Sequence, residues 1–174
     1  MTDLIVRQYE PRDADAVWNL HERALREAGA FDPDLAHLDA DLRRIEDVYL
    51  DPGGEFLVGE VDSEIVAMGA FRPLGASDHD ATLPLDHAAV VERPASGAVL
   101  KRMRVDPDHY REGFGTVILD ELEDSARAQG IETLVLDTTP TQDTAVAFYE
   151  DSGYERARRD ETDHGPVLFY RKQL

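Results

Sequence analysis

The sequence predicts an α/β fold on a mixed, mostly antiparallel sheet of six or seven strands, and three observations lead there. An apolar run from Ala98 to Val105 enters a loop, an amphipathic pattern with Ile118, Leu122 and Ala126 on one face leaves it, and a second apolar run, Thr133 to Asp137, follows. Strand, helix and strand in close succession make a parallel pair with a right-handed crossover. Two further pairs of runs, Glu55–Val61 with Glu64–Pro73 and Tyr154–Arg159 with Val167–Lys172, are joined through polar turn residues and read as antiparallel hairpins.

In chain order, Leu4 to Tyr9 alternates as a first strand, and Glu10, Pro11, Arg12 and Asp13 form a turn able to cap a helix. Ala16, Val17, Leu20, Ala24 and Leu25 mark the apolar face of that helix, which Gly29 ends. Phe31 to Ala36 reads as a loop. A second helix carries Leu38, Leu42, Ile45 and Tyr49 at three- and four-residue spacing, with the acidic and arginine residues between them as a solvated face, and stops before Asp51, Pro52, Gly53 and Gly54. After the first hairpin, Leu74 to Pro94 is a long loop with an edge strand in Ala88–Glu92; a loop of this length borders a substrate in many compact domains. Beyond Pro140 a short helix carries Ala145, Val146, Phe148 and Tyr149 and ends at Gly153.

The 174 residues, 42% of them hydrophobic, suffice for one domain with a core, taken here as residues 1–174. No apolar run approaches the ~20 residues of a membrane span and Met1–Tyr9 lacks the features of a signal peptide, so the expected location is the cytoplasm. Without cysteine there are no disulfides and no thiolate chemistry. The 37 acidic residues against 18 basic ones leave a charge of −19, which opposes binding to nucleic acid and to anionic membranes. Abundant Asp, with Lys101 and Lys172 the only lysines, resembles the composition of halophilic proteins.

The chemistry centres on Tyr110, Arg111, Glu112, Gly113, Phe114, Gly115 and Thr116. Two glycines let the backbone approach a ligand closely, and the first turn of the next helix offers free N–H groups at its positive dipole end, a setting suited to phosphate. A dinucleotide fingerprint fits poorly: Asp137 supplies its acidic residue, but Ile118 stands at the third glycine and several strands precede the loop. The Gly-Lys-Ser/Thr run of a triphosphate loop is missing. Asp78, His79, Asp80, Asp86 and His87 lack metal-ligand spacing, so no metal is expected. His21, near Trp18 and Leu25, reads as an interface or half-buried helix residue.

Val105, Pro107, Gly113 and Gly115 fall at the spacing of a strand ending in Val-x-Pro followed by Gln/Arg-x-x-Gly-x-Gly/Ala; Gln142, Ala145, Phe148, Tyr149, Gly153 and Tyr154 follow an Asn-x-x-Ala-x-x-(aromatic or aliphatic)-Tyr pattern. On these residues the chain resembles the GNAT superfamily of acyl-CoA-dependent N-acetyltransferases, with Tyr110 at the Gln/Arg position and Gln142 in place of Asn. The resemblance implies helices on both sheet faces and a central, splayed parallel pair. It also implies acetyl-CoA as cosubstrate, its pyrophosphate on the Tyr110–Thr116 loop, its pantetheine arm on the backbone of Met103, Arg104 and Val105, and contacts at Gln142 and Ala145. An amine acceptor would attack the thioester directly, a backbone N–H near Met103–Val105 would stabilise the oxyanion, and Tyr149 would be the acid or hydrogen-bond donor to the departing sulfur. Val99 occupies the position at which many relatives carry a glutamate base. Glu92, Asp78, Asp80 and the loop histidines His79 and His87, acting through water, are the alternatives to it. A noncatalytic acyl-CoA-binding or regulatory module is the second reading, with a second copy of the chain as the protein partner considered.

Overall fold

The computed structural model describes residues 3–75 and 85–174; Asp78, His79, Asp80 and Pro84 lie outside the described residues. Seven strands form one sheet: β1 (Ile5–Gln8), β2 (Glu55–Val61), β3 (Glu64–Pro73), β4 (Gly97–Val105), β5 (Thr133–Thr138), β6 (Glu155–Thr162) and β7 (Gly165–Gln173). Their order is β1-β2-β3-β4-β5-β7-β6. Every pairing is antiparallel except β4 with β5. The β2–β3 hairpin turns through Asp62 and Ser63 at φ 51° and 68°, the left-handed pair that a tight two-residue connection requires.

Helix α1 (Ala14–Glu27) follows a 3-10 turn at Pro11–Asp13, α2 (Phe114–Ala128) follows the glycine loop, and α3 (Asp143–Asp151) follows β5. Strand alternation sends Leu57, Ala67, Phe71, Ala98, Leu100, Leu134 and Leu136 to one face, where Ile118, Leu119, Leu122 and Ala126 of α2 close over them. Phe56, Val58, Met68 and Ala70 point the other way, onto Val17 and Leu20 of α1. Val99, Val135 and Phe169 continue that second face under Val90 and Val91. Helices therefore cover both faces. Among the described residues no helix is long and apolar enough to cross a membrane.

Three local expectations are corrected. The stretch read as a loop and then a helix is a run of 3-10 turns over Pro33–Arg43, kinked at Asp39, followed by a π-helical turn at Glu46–Leu50. Leu42, Ile45 and Tyr49 are buried as expected, yet Asp41 is buried with them. A regular helix would point positions 39 and 41 roughly 200° apart, whereas both carboxylates here turn inward to the same arginine. They are not a solvated face. The edge strand expected at Ala88–Glu92 is instead a 3-10 turn, His87–Val90, whose start the Asp86 side chain caps through the Ala89 N–H. His21 is fully buried, 3.0 Å from Asp39, because the 33–43 segment folds over α1.

Candidate active site

β4 and β5 pair only through Gly97–Thr133, Ala98–Leu134 and Val99–Val135. Beyond Val99 the strands part, and among the described residues the edge of β4 from Leu100 to Val105 faces no strand on that side. A bulge shapes the same stretch: Lys101 pairs opposite Ala70 and Arg104 opposite Met68, so Arg102 and Met103 together face the single Gly69. Arg102 takes φ 61° there. A methyl group on Gly69 would collide with Met103, Ile118 and Leu122, so the absence of a side chain lets Met103 settle toward α2. The extra residue also changes which side chains share a face. Met103 and Val105 pack with the α2 cluster, while Lys101, Arg102 and Arg104 lie on the α1 side.

Arg102 is locked by Asp41 (2.5 and 2.9 Å) and Asp39 (2.8 Å), and Tyr49 donates a short hydrogen bond to Asp41. Burial works against each charge, but the mutual attraction prevails: it holds the Asp41 and Asp39 carboxyls below the usual range and the Arg102 guanidinium above its own. Arg104 turns one guanidinium N–H back to the Met103 carbonyl at 2.8 Å. That carbonyl, expected to be free for a ligand, is therefore engaged; the remaining edge of β4 is the part left for one.

The loop after β4 is anchored at both ends. Asp106 caps the Asp108 N–H at 2.9 Å and receives Arg23 of α1 at 2.5 Å. Phe114, 5% exposed, seats the start of α2 in the core. Between them Arg111 and Gly113 adopt φ 67° and 84°, an alternation that gathers successive backbone N–H groups into a concave anion cradle at a helix N-terminus. Glu112, whose charge would oppose a phosphate, is held by His109 at 2.8 Å. Tyr110 is 48% exposed at the loop surface, and Thr116 is exposed in the first helical turn. Gly115 lies against the Phe148 ring of α3. These features are of the kind that suits a diphosphate.

α3 brings Ala145 and Tyr149 to one face, four residues apart. The Tyr149 ring is held edge-on by Phe148 and Tyr154, with centroids 5.1 and 5.7 Å away. Burial pushes its hydroxyl up to about 12; Arg104 opposes that shift and Asp137 adds to it. These two residues belong to β4 and β5, so the phenol faces the gap where the strands part. Gln142, at the start of α3, accepts a hydrogen bond from Thr138 at 3.0 Å. It is thereby tied to the end of β5, with its amide N–H groups making no hydrogen bond to a described residue.

The sequence profile of the acetyltransferase (GNAT) family matches residues 14–154. The chain belongs to this family. The ribosomal protein bS18-alanine N-acetyltransferase of Escherichia coli K12 is 33% identical over 69 residues, 40% of this GNAT chain and 47% of that enzyme. Human N-acetyltransferase 8 is 29% identical over 120 residues, 68% of this chain and 47% of that one. The chain thus matches about half the length of these relatives. Among solved structures, a GNAT acetyltransferase from Staphylococcus aureus Mu50 superposes with a TM-score of 0.77 at 20% identity over 99% of both chains. The PaiA N-acetyltransferase of Thermoplasma acidophilum, solved with coenzyme A, does so with 0.70 at 14% over 99% of both.

Arg104 of β4 and Asp137 of β5 both act on the Tyr149 hydroxyl, beside the stretch where β4 and β5 part ahead of the 110–116 loop. Reading the sequence alone missed Lys101, Arg102, Asp39 and Asp41. One signal was present: Lys101 is one of two lysines in an acidic chain, and it interrupts an apolar strand.

Proposed function

We propose that this chain is an acetyl-CoA-dependent N-acetyltransferase that acylates a primary amine. The observation that carries the reading is the gap between β4 and β5, with the N–H cradle of Arg111–Thr116 at one end and the Tyr149 hydroxyl, which makes no hydrogen bond to a described residue, at the other. Bound acetyl-CoA supplies an activated acyl thioester. The cradle and the N-terminus of α2 would hold its diphosphate, and the edge of β4 would hold the amide-rich arm as an added strand would be held. Backbone N–H groups near the Arg102–Met103 bulge would stabilise the oxyanion. Tyr149, made a weaker acid by burial, acts mainly by donating a hydrogen bond to the departing sulfur.

Val99 is 3% exposed inside an apolar cluster, so no carboxylate stands at that position. We assign the proton released by the amine to Asp137, the carboxylate whose field reaches Tyr149 and which His87 grips at 2.7 Å. Asp137→Asn should lower kcat/KM by about 10²-fold, the low end for a general base, with CoA affinity retained; an unchanged kcat/KM removes Asp137 from this role. The buried Val99 also favours the second reading, a noncatalytic acyl-CoA-binding module. Thiol release from acetyl-CoA with a panel of amines, in high salt and with the acetylated product confirmed by mass, separates the two: binding without release supports the module.

A further inference from the structure

We propose that the acceptor of this enzyme carries a carboxylate beside its amine, and that Lys101 and Arg104 bind that carboxylate on the α1 side of the gap between β4 and β5. The inference rests on the acetyltransferase reading. Its starting point is an imbalance of charge. In a chain of 37 acidic and 18 basic residues, a cation in the interior would be expected to find a carboxylate, and most do. The polar cleft of about 590 Å³ beside α1 shows the rule, since its Arg7, Arg12 and Arg23 are all matched, by Asp13 and Glu60, by Glu10, and by Asp106 and Asp108.

Lys101 and Arg104 break it. The Lys101 ammonium forms no hydrogen bond or ion pair with any described residue. Among the described residues Arg104 reaches only the Met103 carbonyl, and its buried Nε has no partner there. Among the described residues the nearby carboxylates are engaged by other groups: Asp41 by Arg102 and Tyr49, Asp39 by Arg102, Asp137 by His87. Arg72, opposite Val99 on the same face, adds to the positive field at Lys101. Burial first, and then the like charge of Arg102, lower both the Lys101 ammonium and the Arg104 guanidinium from their ordinary values, and the weaker opposing fields of Asp41 and Asp137 at Lys101 and of Tyr149 and Asp39 at Arg104 do not make up the difference. Two poorly solvated cations on one face of the same strand are costly, and an anion arriving between them would relieve both.

Their position suits an acceptor. The bulge at Arg102–Met103 is what sets Lys101 and Arg104 on one face, and Arg104 lies within the field of the Tyr149 hydroxyl across the gap. A carboxylate on this pair would leave an amine a few bonds away at the opening, facing the thioester. The carboxylate could belong to a free amino acid or to an acidic peptide, two sources of one chemistry.

The test compares glycine, β-alanine, aspartate and glutamate with their carboxamides, and an Asp-containing tetrapeptide with its Asn counterpart. Two readouts are used: acetyl transfer, and the shift in melting temperature of the CoA-loaded protein. At least one acid should exceed its amide by about 30-fold in kcat/KM and raise the melting temperature where the amide does not; the member that does so identifies the source. Lys101→Met should bring that ratio close to one, and Lys101→Arg should restore most of it, which a role as a neutral lysine base would not permit. CoA titration by calorimetry verifies that the variants are folded. Equal behaviour of acids and amides in both readouts overturns the anion site, whether or not acetyl transfer is seen. A ratio undiminished in Lys101→Met overturns the assignment to Lys101. Acid-selective shifts in melting temperature with no transfer to any amine leave the anion site standing and remove the acetyltransferase reading.

Discussion

At the scale of single residues, the decisive distinction is between packing and chemistry at Tyr149. Its ring is fixed by two aromatic neighbours while its hydroxyl has no hydrogen bond to a described residue. Tyr149→Phe keeps the packing and deletes one oxygen, so kcat should fall by about 10²-fold with CoA affinity and melting temperature nearly unchanged. Wild-type turnover by the variant, where chemistry limits the rate, would exclude the role. Gly113 poses a different problem. Nothing lies within 4 Å of a methyl group built there, so space is not the constraint; φ 84° is. Gly113→Val forces a β-branched residue into the left-handed region and should distort the N–H cradle. CoA affinity should fall at least tenfold, and an unchanged dissociation constant by calorimetry would count against the cradle.

Among the elements, the bulge in β4 and the irregular 33–50 segment depend on one another. Arg102 leaves the strand at φ 61° and reaches Asp39 and Asp41, whose segment cannot remain a regular helix while presenting both carboxylates. Removing Arg102 strands two negative charges, one of them buried. Arg102→Met should therefore destabilise the protein by about 3 kcal/mol in urea unfolding, the cost of breaking a buried pair from one side. A loss below about 1 kcal/mol would show that the pair is not what holds the segment.

On the whole-molecule scale, charge sets two opposite trends. At neutral pH a net charge of −19 repels itself, and screening relieves the repulsion. The melting temperature should rise from low salt to molar KCl; no rise would refute the expected salt dependence. Acid works through specific groups. The Arg7 hydrogen bond lowers the Asp13 carboxyl, and Arg102 holds Asp39 and Asp41 down despite their burial. A carboxyl depressed in the folded state stabilises above its unfolded value and loses that contribution as pH falls toward its folded one. Stability should therefore drop as pH falls below about 4, the ordinary Asp value. In Asp13→Asn that acid loss should be smaller; an identical pH profile would exclude Asp13.

What the sequence determined by itself was local. The apolar runs Glu55–Val61 and Glu64–Pro73 about their polar turn, the stops at Gly29 and Gly130, and the run from Val105 through Gly115 have causes within a few residues of themselves, so both hairpins, α1, α2 and the loop that precedes α2 were legible. So was the short helix that carries Ala145, Phe148 and Tyr149. Only the tertiary structure decided which acidic residues would be buried and which cations would have no carboxylate partner among the described residues. Arg102 meets Asp41 across 61 positions of sequence, and Lys101 joins Arg104 on one face because the pairing of β4 slips by one residue at Gly69. Strand register carries no local signature: inserting one residue reverses the facing of every side chain beyond it, and that choice is made by packing between strands and helices distant in the chain.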